Sequence, residues 1–183
     1  MNKPSLSVYL SSISEWDAEE IAENANDSEI ALNVAAKAEF PYPYMHEDAV
    51  RFIEKAKTGY DNNQEYHFGI HLRENDELVG AVGIFNIDKE SRTCEIGYWI
   101  GKNYWGKGYT KEAVSALVEF AFKKVGVDKI YANVFSFNLR SINLLLGLGF
   151  RQNPMYKRVI NHYMGYAEEV RYELSFDGSQ HAN

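Results

Sequence analysis

One carboxylate, Glu95, lies just before a loop with three glycines in nine residues, Gly101 to Tyr109. Glu95 is the one charged residue in the apolar stretch 94–100, which is predicted to be a buried strand. Glycines at positions 101, 106 and 108 interrupt that stretch, and from Thr110 onward apolar residues recur at helix spacing. A strand, a glycine loop and a helix in this order favour an anion site, usually for phosphate, in which backbone N–H groups at the helix start bind the anion.

Two common phosphate motifs do not fit this loop. The P-loop pattern G-x-x-x-x-G-K-S/T places Ser or Thr where Gly108 stands, so the residue that would hold a magnesium ion is missing. The dinucleotide pattern G-x-G-x-x-G requires a third glycine where Lys111 stands. A nucleotide-binding P-loop protein is therefore disfavoured.

The loop NYWGKG, residues 103–108, with its flanks EIGYWI and YTKEA, resembles the acetyl-CoA pyrophosphate loop Q/R-x-x-G-x-G/A of the GNAT N-acetyltransferase superfamily. The segment YWGKGYTKEA, residues 104–113, is most similar to the branch that includes ribosomal-protein N-terminal acetyltransferases. Asn103 stands where that family usually has Gln or Arg. The resemblance implies acetyl-CoA as co-substrate, with its pyrophosphate on residues 104–110 and its pantetheine arm against the end of the preceding strand. The residues implied in this region are Tyr98, Trp99, Ile100, Asn103, Tyr104, Trp105, Gly106, Lys107, Gly108, Tyr109 and Thr110.

A second element, Asn138-Leu-Arg-Ser141 followed by LGF at residues 148–150, resembles the family's N-x-x-S…LGF signature. By this resemblance Asn138 hydrogen-bonds the pantetheine arm and Ser141 lies near the cofactor. Simple helix capping by Asn138 is the alternative interpretation. Many relatives carry a tyrosine that protonates the leaving thiolate at the position occupied here by Leu145. Ser141 could serve instead, directly or through water, or no dedicated acid is needed.

Glu95 is the candidate general base, because an acceptor amine must lose a proton before it attacks a thioester. Burial in an apolar strand would raise the pKa of its carboxyl toward a useful value. The alternative is a structural Glu95 that faces solvent or pairs with an arginine such as Arg92. The backbone N–H at the end of this strand would polarise the thioester carbonyl.

The remaining cysteine and histidine side chains are predicted to have structural roles rather than catalytic or metal-binding ones. Cys94 is predicted to be a small buried hydrophobe, and His67 and His71 lack a third ligand, so no metal site is expected. His46 and His162 are predicted to be surface residues. The loop FPYPYM, residues 40–45, either lines the acceptor cleft or packs its rings on the core.

The spacing of apolar residues predicts an α+β fold. We expect a mixed, mostly antiparallel sheet of about seven strands with flanking helices, and the family resemblance adds that the central strands splay apart. The resemblance implies a single N-acetyltransferase domain over 1–183, and we expect its core at about 5–176 and a frayed tail at 177–183. Predicted strands are Leu6–Leu10, Tyr66–Arg73, Leu78–Ile87, Cys94–Ile100, Lys129–Phe135, a strand from Gly149 toward Tyr156, and Val170–Phe176. Predicted helices are Asp17–Ala25, Ser28–Ala38 with Ser28 as N-cap, Glu47–Lys57, one from Thr110 that Gly126 ends, and Leu139–Leu146.

The net charge and the lack of long apolar runs limit the classes of molecule that the protein is expected to bind. The 183 residues carry a net charge of −7, which disfavours nucleic-acid binding and suits a cationic acceptor. The N-terminus lacks a signal-peptide pattern and no apolar run reaches membrane-spanning length, so a cytoplasmic protein without membrane contact is expected. The expected activity is transfer of an acetyl group from acetyl-CoA to a primary amine, either a protein N-terminus or a small amine, by a monomer or homodimer. A non-catalytic acyl-CoA-binding regulator is the alternative.

Overall fold

A seven-stranded sheet forms the centre of the computed structural model, which describes residues 6–34 and 40–176. The predicted frayed tail at 177–183 lies outside the described residues. The strands follow the order β1-β2-β3-β4-β5-β7-β6 across the sheet. They are β1 (Val8–Ser12), β2 (Tyr66–Leu72), β3 (Leu78–Asp88), β4 (Thr93–Ile100), β5 (Lys129–Phe135), β6 (Arg151–His162) and β7 (Gly165–Ser175).

Every neighbouring pair of strands is antiparallel except β4 and β5. Strands β2 to β4 form the predicted three-stranded meander. A helix connects β4 to β5 and returns the chain to the same edge, which makes this one pair parallel. The predicted mixed and mostly antiparallel sheet is confirmed.

The parallel pair β4–β5 is short. Only Thr93, Cys94 and Glu95 of β4 pair with β5, at Lys129–Tyr131, although both strands continue beyond these residues. The expected splaying of the central strands is therefore present, and it begins directly after Glu95.

Helices cover both faces of the sheet. Helices α4 and α5 contribute to a core with the β4 side chains of Cys94, Ile96 and Ile100. Helices α1 to α3 contribute to a second core that includes Trp99, which points to the opposite face because side chains alternate along a strand. The helices are α1 (Ala18–Ala25), α2 (Ser28–Val34), α3 (His46–Asp61), α4 (Tyr109–Phe120) and α5 (Leu139–Gly147).

The N-cap of α2 differs from the prediction. The carboxylate of Asp27 accepts the backbone N–H groups of Glu29 at 2.7 Å and Ile30 at 3.4 Å. Ser28 is therefore the first helical residue, and Asp27 caps the helix because a cap must precede the first turn. The predicted continuation of this helix over 35–38 lies outside the described residues.

The long hairpin of β6 and β7 was underestimated from the sequence. Strand β6 runs six residues past its predicted end at Tyr156, β7 begins five residues before its predicted start at Val170, and the turn lies at residues 163 and 164. The extension carries many charged residues and lacks a clear apolar alternation. Cross-strand ion pairs support it, since Lys157 bonds Glu168 at 3.1 Å and Arg158 bonds Glu169 at 3.2 Å.

Other boundaries differ from the predictions by a few residues. Strand β1 begins two residues later than expected, and α3 begins at His46 and runs to Asp61 rather than ending at Lys57. Gly126 follows the last turn after α4 with a φ of +81°, as its predicted role at the helix end requires. In the described part of the chain, no helix has both the length and the apolar character of a membrane span.

Candidate active site

A cleft of about 460 Å³ opens where β4 and β5 separate. It is bounded by the end of β4, the loop that follows, the start of α4, the middle of β5, and one side each of α2 and α5. Ten of the residues singled out from the sequence line it: Tyr98, Trp99, Ile100, Tyr104, Trp105, Gly106, Gly108, Thr110, Asn138 and Ser141. Residues that the sequence did not single out also line it: Ile30, Asn33, Val34, Ile96, Gly97, Lys111, Ala132, Asn133, Val134, Arg140 and Leu144. Asn103 and Lys107 in the loop, and Tyr109 at the start of α4, do not line the cleft.

The glycine loop is open at both of its central glycines. Gly106 and Gly108 have φ values of +76° and +86°, a region that other residues adopt only at a cost. A Cβ atom added to either residue would have no described neighbour within 4 Å. Internal packing therefore does not require glycine here, whereas the backbone angle does, and the open space is available to a ligand.

Backbone N–H groups lie next to that space. The carbonyl of Gly108 accepts the N–H groups of Lys111 and Glu112, which begins α4. For the five N–H groups of residues 106–110 the structure shows no acceptor within the described ranges. Unpaired N–H groups at the start of a helix bind anions such as phosphate.

Aromatic side chains hold the loop in place. The indole Nε1 of Trp105 donates to the carbonyl of Ile100 at 3.0 Å, and the hydroxyl of Tyr104 donates to Glu77. The ammonium of Lys107 lies 5.2 Å from the centre of the Tyr104 ring. On the other side of the cleft, the guanidinium of Arg140 stacks 4.2 Å from the Trp105 ring and so connects α5 to the loop.

The side chain of Asn138 has two structural bonds. Its Oδ1 accepts the backbone N–H of Ser141 at 3.1 Å, which caps α5, and its Nδ2 donates to the carbonyl of Asn33 at 3.0 Å. The capping alternative considered from the sequence is therefore present. Ser141 itself faces the cleft, where its Oγ lies 2.7 Å from the hydroxyl oxygen of Tyr98 on β4.

Glu95 does not itself line the cleft; it is partly buried next to the lining residue Ile96 and is held by two amides. Its carboxylate accepts from Asn86 at 2.9 Å and from Asn133 at 2.8 Å, and Asn133 lines the cleft. Burial raises the pKa of the Glu95 carboxyl, while the two amide hydrogen bonds oppose that rise. The pairing with Arg92 that the sequence suggested is wrong, because Arg92 bonds Asp128 at 2.5 and 2.9 Å.

A polar cluster continues from Glu95 across β5 and β7, and the sequence analysis missed it. The Oδ1 of Asn133 accepts from Arg171 at 2.9 Å, and the guanidinium of Arg171 lies 4.0 Å from the centres of two rings, those of Tyr131 and Tyr156. The Tyr156 hydroxyl donates to the buried Glu169 at 2.8 Å. The signal available in the sequence was the alternation of β5, which puts positions 131 and 133 on the face of Glu95.

His162 is a second correction, since it is only 2% exposed rather than a surface residue. Its Nε2 donates to the carbonyl of Leu32 at 2.9 Å and its Nδ1 accepts the N–H of Met164 at 3.2 Å, so the ring ties the tip of the β6–β7 hairpin to α2. His46 is exposed at the start of α3. Within the ranges 6–34 and 40–176, no three His, Cys, Asp or Glu side chains group as metal ligands.

The aromatic loop at 40–45 packs inward. Phe40 and Tyr44 are buried in the second core, whereas Tyr42 is 47% exposed. The hydroxyl of Tyr163 donates to the carbonyl of Phe40 at 2.7 Å. Cys94 is fully buried, and burial raises the pKa of its thiol to about 12, so it stays an uncharged core residue.

Residues 7–151 match the family model described as "Acetyltransferase (GNAT) domain". The chain is 37% identical over 108 residues to p20 of Bacillus licheniformis, an uncharacterized N-acetyltransferase, covering 55% of this chain and 61% of that protein. It is 32% identical over 88 residues to the "[Ribosomal protein uS5]-alanine N-acetyltransferase" of Escherichia coli, covering 48% and 45% of the two chains. The chain thus spans less than two thirds of the length of these curated relatives.

Similarity of fold extends further than similarity of sequence. The structure of RimL, the ribosomal L7/L12 alpha-N-protein acetyltransferase in complex with coenzyme A, superposes with a TM-score of 0.84 at 13% identity. The superposition covers 97% of this chain and 98% of that chain. The architecture is therefore shared over nearly the whole length.

Proposed function

The chain belongs to the GNAT acetyltransferase family, and from this premise we propose that it is an acetyl-CoA-dependent N-acetyltransferase that transfers the acetyl group directly to a primary amine. One observation supports the proposal most strongly: five backbone N–H groups at residues 106–110 have no acceptor among the described residues and lie beside open space at a helix start, next to a cleft between diverging strands. A pyrophosphate fits these donors, and the cleft has the size expected for a ligand site.

Different residues in and around the cleft would bind different parts of acetyl-CoA. The loop 104–110 would bind the pyrophosphate, and Lys107 would add a positive charge nearby. The end of β4 at Tyr98–Ile100 would face the pantetheine arm, because the edge of β4 that faces β5 has no partner strand after Glu95. Asn138 and Ser141 would border that arm from α5.

The acceptor amine would enter on the side of Glu95. An amine is mostly protonated at neutral pH, so a base must remove a proton before the nitrogen attacks the carbonyl. The raised pKa of Glu95 suits it to accept a proton from the amine, directly or through one water. The Escherichia coli relative is named for acetylating an alanine of ribosomal protein uS5, which supports a protein N-terminus or another amine as the acceptor.

The direct test of the cofactor site is Gly106→Val with calorimetry of coenzyme A binding. The branched side chain would occupy the open space above the N–H groups, so we expect affinity to fall by well over tenfold. Gly126→Val is the matched control, since Gly126 also has a positive φ and open space but lies away from the cleft. Both variants carry a similar backbone strain of about 1–2 kcal/mol. Unchanged affinity in a folded Gly106→Val variant would contradict the assignment of the loop.

Turnover tests the activity itself. We expect release of free coenzyme A when acetyl-CoA is mixed with an active acceptor from a panel of peptides with free N-termini and small cationic amines. Tight binding of acetyl-CoA without turnover on any acceptor would instead indicate a regulator that only binds the acyl-CoA.

A further inference from the structure

Two hydroxyl groups meet across the cleft, one from each side of the gap between the strands. Tyr98 projects from β4 and Ser141 from α5, and their oxygen atoms lie 2.7 Å apart. Two hydroxyls carry two hydrogens, and a single bond between them uses only one. The structure shows no acceptor for the second hydrogen within the described part of the chain, so one O–H remains free at the cleft.

Both partners of this hydroxyl pair are held in place. The backbone N–H of Ser141 is fixed by Asn138, which is itself bonded to Asn33 on α2. Tyr98 lies in the middle of β4, in register with Val82 on β3. Burial raises the pKa of the Tyr98 hydroxyl to about 12, so the ring keeps its proton and the pair acts as a hydrogen-bond donor at any working pH.

Such a donor would stabilise the negative charge that develops on the leaving sulfur during acetyl transfer. The thiolate that departs is a strong anion until it is solvated or protonated. Leu145, at the position where many relatives carry a tyrosine, is fully buried in the apolar core and offers no polar atom. Any side-chain hydrogen bond to the sulfur would therefore come from another element that faces the cleft.

We propose that Tyr98 pairs with Ser141 at the leaving group, so that the free hydrogen of this hydroxyl pair faces the thioester sulfur. This inference rests on the proposed acetyltransferase function. If Tyr98 donates to Ser141, the Ser141 O–H faces the sulfur; if Ser141 donates to Tyr98, the Tyr98 O–H does so. In both arrangements one donor serves the sulfur, and loss of either hydroxyl disrupts it.

The step balances without a proton from the pair. The C–N bond to the amine forms, the C–S bond breaks, and its electron pair stays on sulfur. The amine proton leaves to Glu95 or to water. A thiol has an ordinary pKa of about 8.5, well below the pKa of Tyr98, so the hydroxyl pair stabilises the thiolate by hydrogen bonding and keeps both of its protons.

Tyr98→Phe tests the inference because it removes the hydroxyl and keeps the ring. A hydrogen bond to a charged group is strong enough for kcat to fall about 10- to 100-fold, whereas the affinity for acetyl-CoA and its KM should stay within about twofold. Ser141→Ala should give a similar loss. The double variant should be no worse than the weaker single variant, since the two hydroxyls act as one unit. Tyr66→Phe is the control, because it removes a hydroxyl bonded to Asn63 away from the cleft.

A second readout needs no turnover. The thiol of bound coenzyme A can be titrated by the ultraviolet absorbance of its thiolate. Loss of the donor should raise the pKa of that thiol by about one unit in Tyr98→Phe and in Ser141→Ala. Ser141→Thr keeps a hydroxyl and should restore a lower value, so the comparison of the Ala and Thr variants tests the hydroxyl pair if Tyr98→Phe fails to fold, and equal thiol pKa values in the two would overturn it.

The outcomes separate the two proposals. Normal kcat and an unchanged thiol pKa in Tyr98→Phe would overturn the role of Tyr98 and leave the acetyltransferase function intact. An absence of wild-type turnover on every amine, combined with the expected shift in thiol pKa, would overturn the function and keep the thiolate-binding pair. Failure of coenzyme A to bind the wild-type protein would overturn both.

Discussion

At the scale of single residues, Glu95 has the most demanding proposed task. Its carboxylate is partly buried, which raises its pKa, and it is oriented by Asn86 and Asn133. A base functions only when ionised, so activity that depends on Glu95 should rise as pH increases through its raised pKa. Below that pKa the carboxyl is protonated and the activity should be lost.

Glu95→Gln therefore predicts a fall in kcat of about 10²–10⁴-fold at neutral pH, the range found for other general bases. The acidic limb of the pH–rate profile should disappear, and alkaline buffer should recover part of the activity because the amine then deprotonates unaided. Steady-state kinetics across pH checks this. A lower melting temperature with a normal kcat and pH profile would make Glu95 structural.

Features of single residues were predictable from the sequence when their cause lay in neighbouring residues of the chain, and not when it lay in long-range packing. The positive φ of Gly106 and Gly108 follows from the loop itself and was predictable as a feature of the motif. The contacts of Glu95 with Asn86 and Asn133 depend on which strands become neighbours and where their pairing ends. The burial of His162 depends on the same long-range docking, in this case of a hairpin tip on α2.

At the scale of secondary-structure elements, Asn138 connects two helices. It caps α5 through Oδ1 and joins it to α2 through Nδ2. Asn138→Ala removes both bonds, and loss of an N-cap alone costs about 1 kcal/mol, which corresponds to a decrease in Tm of about 2–4 °C for a domain of this size. We also expect the KM for acetyl-CoA to rise several-fold, because the helix beside the pantetheine arm loses its support.

Asn138→Asp separates these effects. A carboxylate still caps α5 but cannot donate to the carbonyl of Asn33, so stability should be largely kept while the connection to α2 is lost. Calorimetric melting and steady-state kinetics measure the two quantities. Wild-type kinetics in both variants would restrict Asn138 to helix capping.

Elements with strong local signals were predicted accurately. Strand β5 has the predicted bounds, and α5 ends one residue later than expected, because a cap, a short apolar face and Gly149 mark its limits. The outer halves of β6 and β7 lack such marks. Their pairing is stabilised by cross-strand ion pairs, which a pattern of apolar residues does not reveal.

At the scale of the whole molecule, the proposed ligand would span both parts of the sheet. A ligand that binds only the folded state stabilises it by about 2.7 kcal/mol when its concentration is a hundred times its Kd. Coenzyme A at that concentration should raise Tm by about 5–10 °C. Thermal melting checks this, and Gly106→Val should abolish the increase while Gly126→Val should keep it. An equal increase in both variants would place the ligand elsewhere.

The short parallel pairing of β4 with β5 determines where the fold is expected to open first. Three residue pairs hold strands β1–β4 to strands β5–β7 along the backbone, and the exposed Arg92–Asp128 ion pair lies next to them. We therefore expect native-state hydrogen exchange to find the weakest backbone protection along the facing edges of β4 and β5 beyond these three pairs, where no strand pairing covers the amides. A molecule bound in the cleft would contact both β4 and β5 where they do not pair with each other, so that the protection of amides in both strands would rise together.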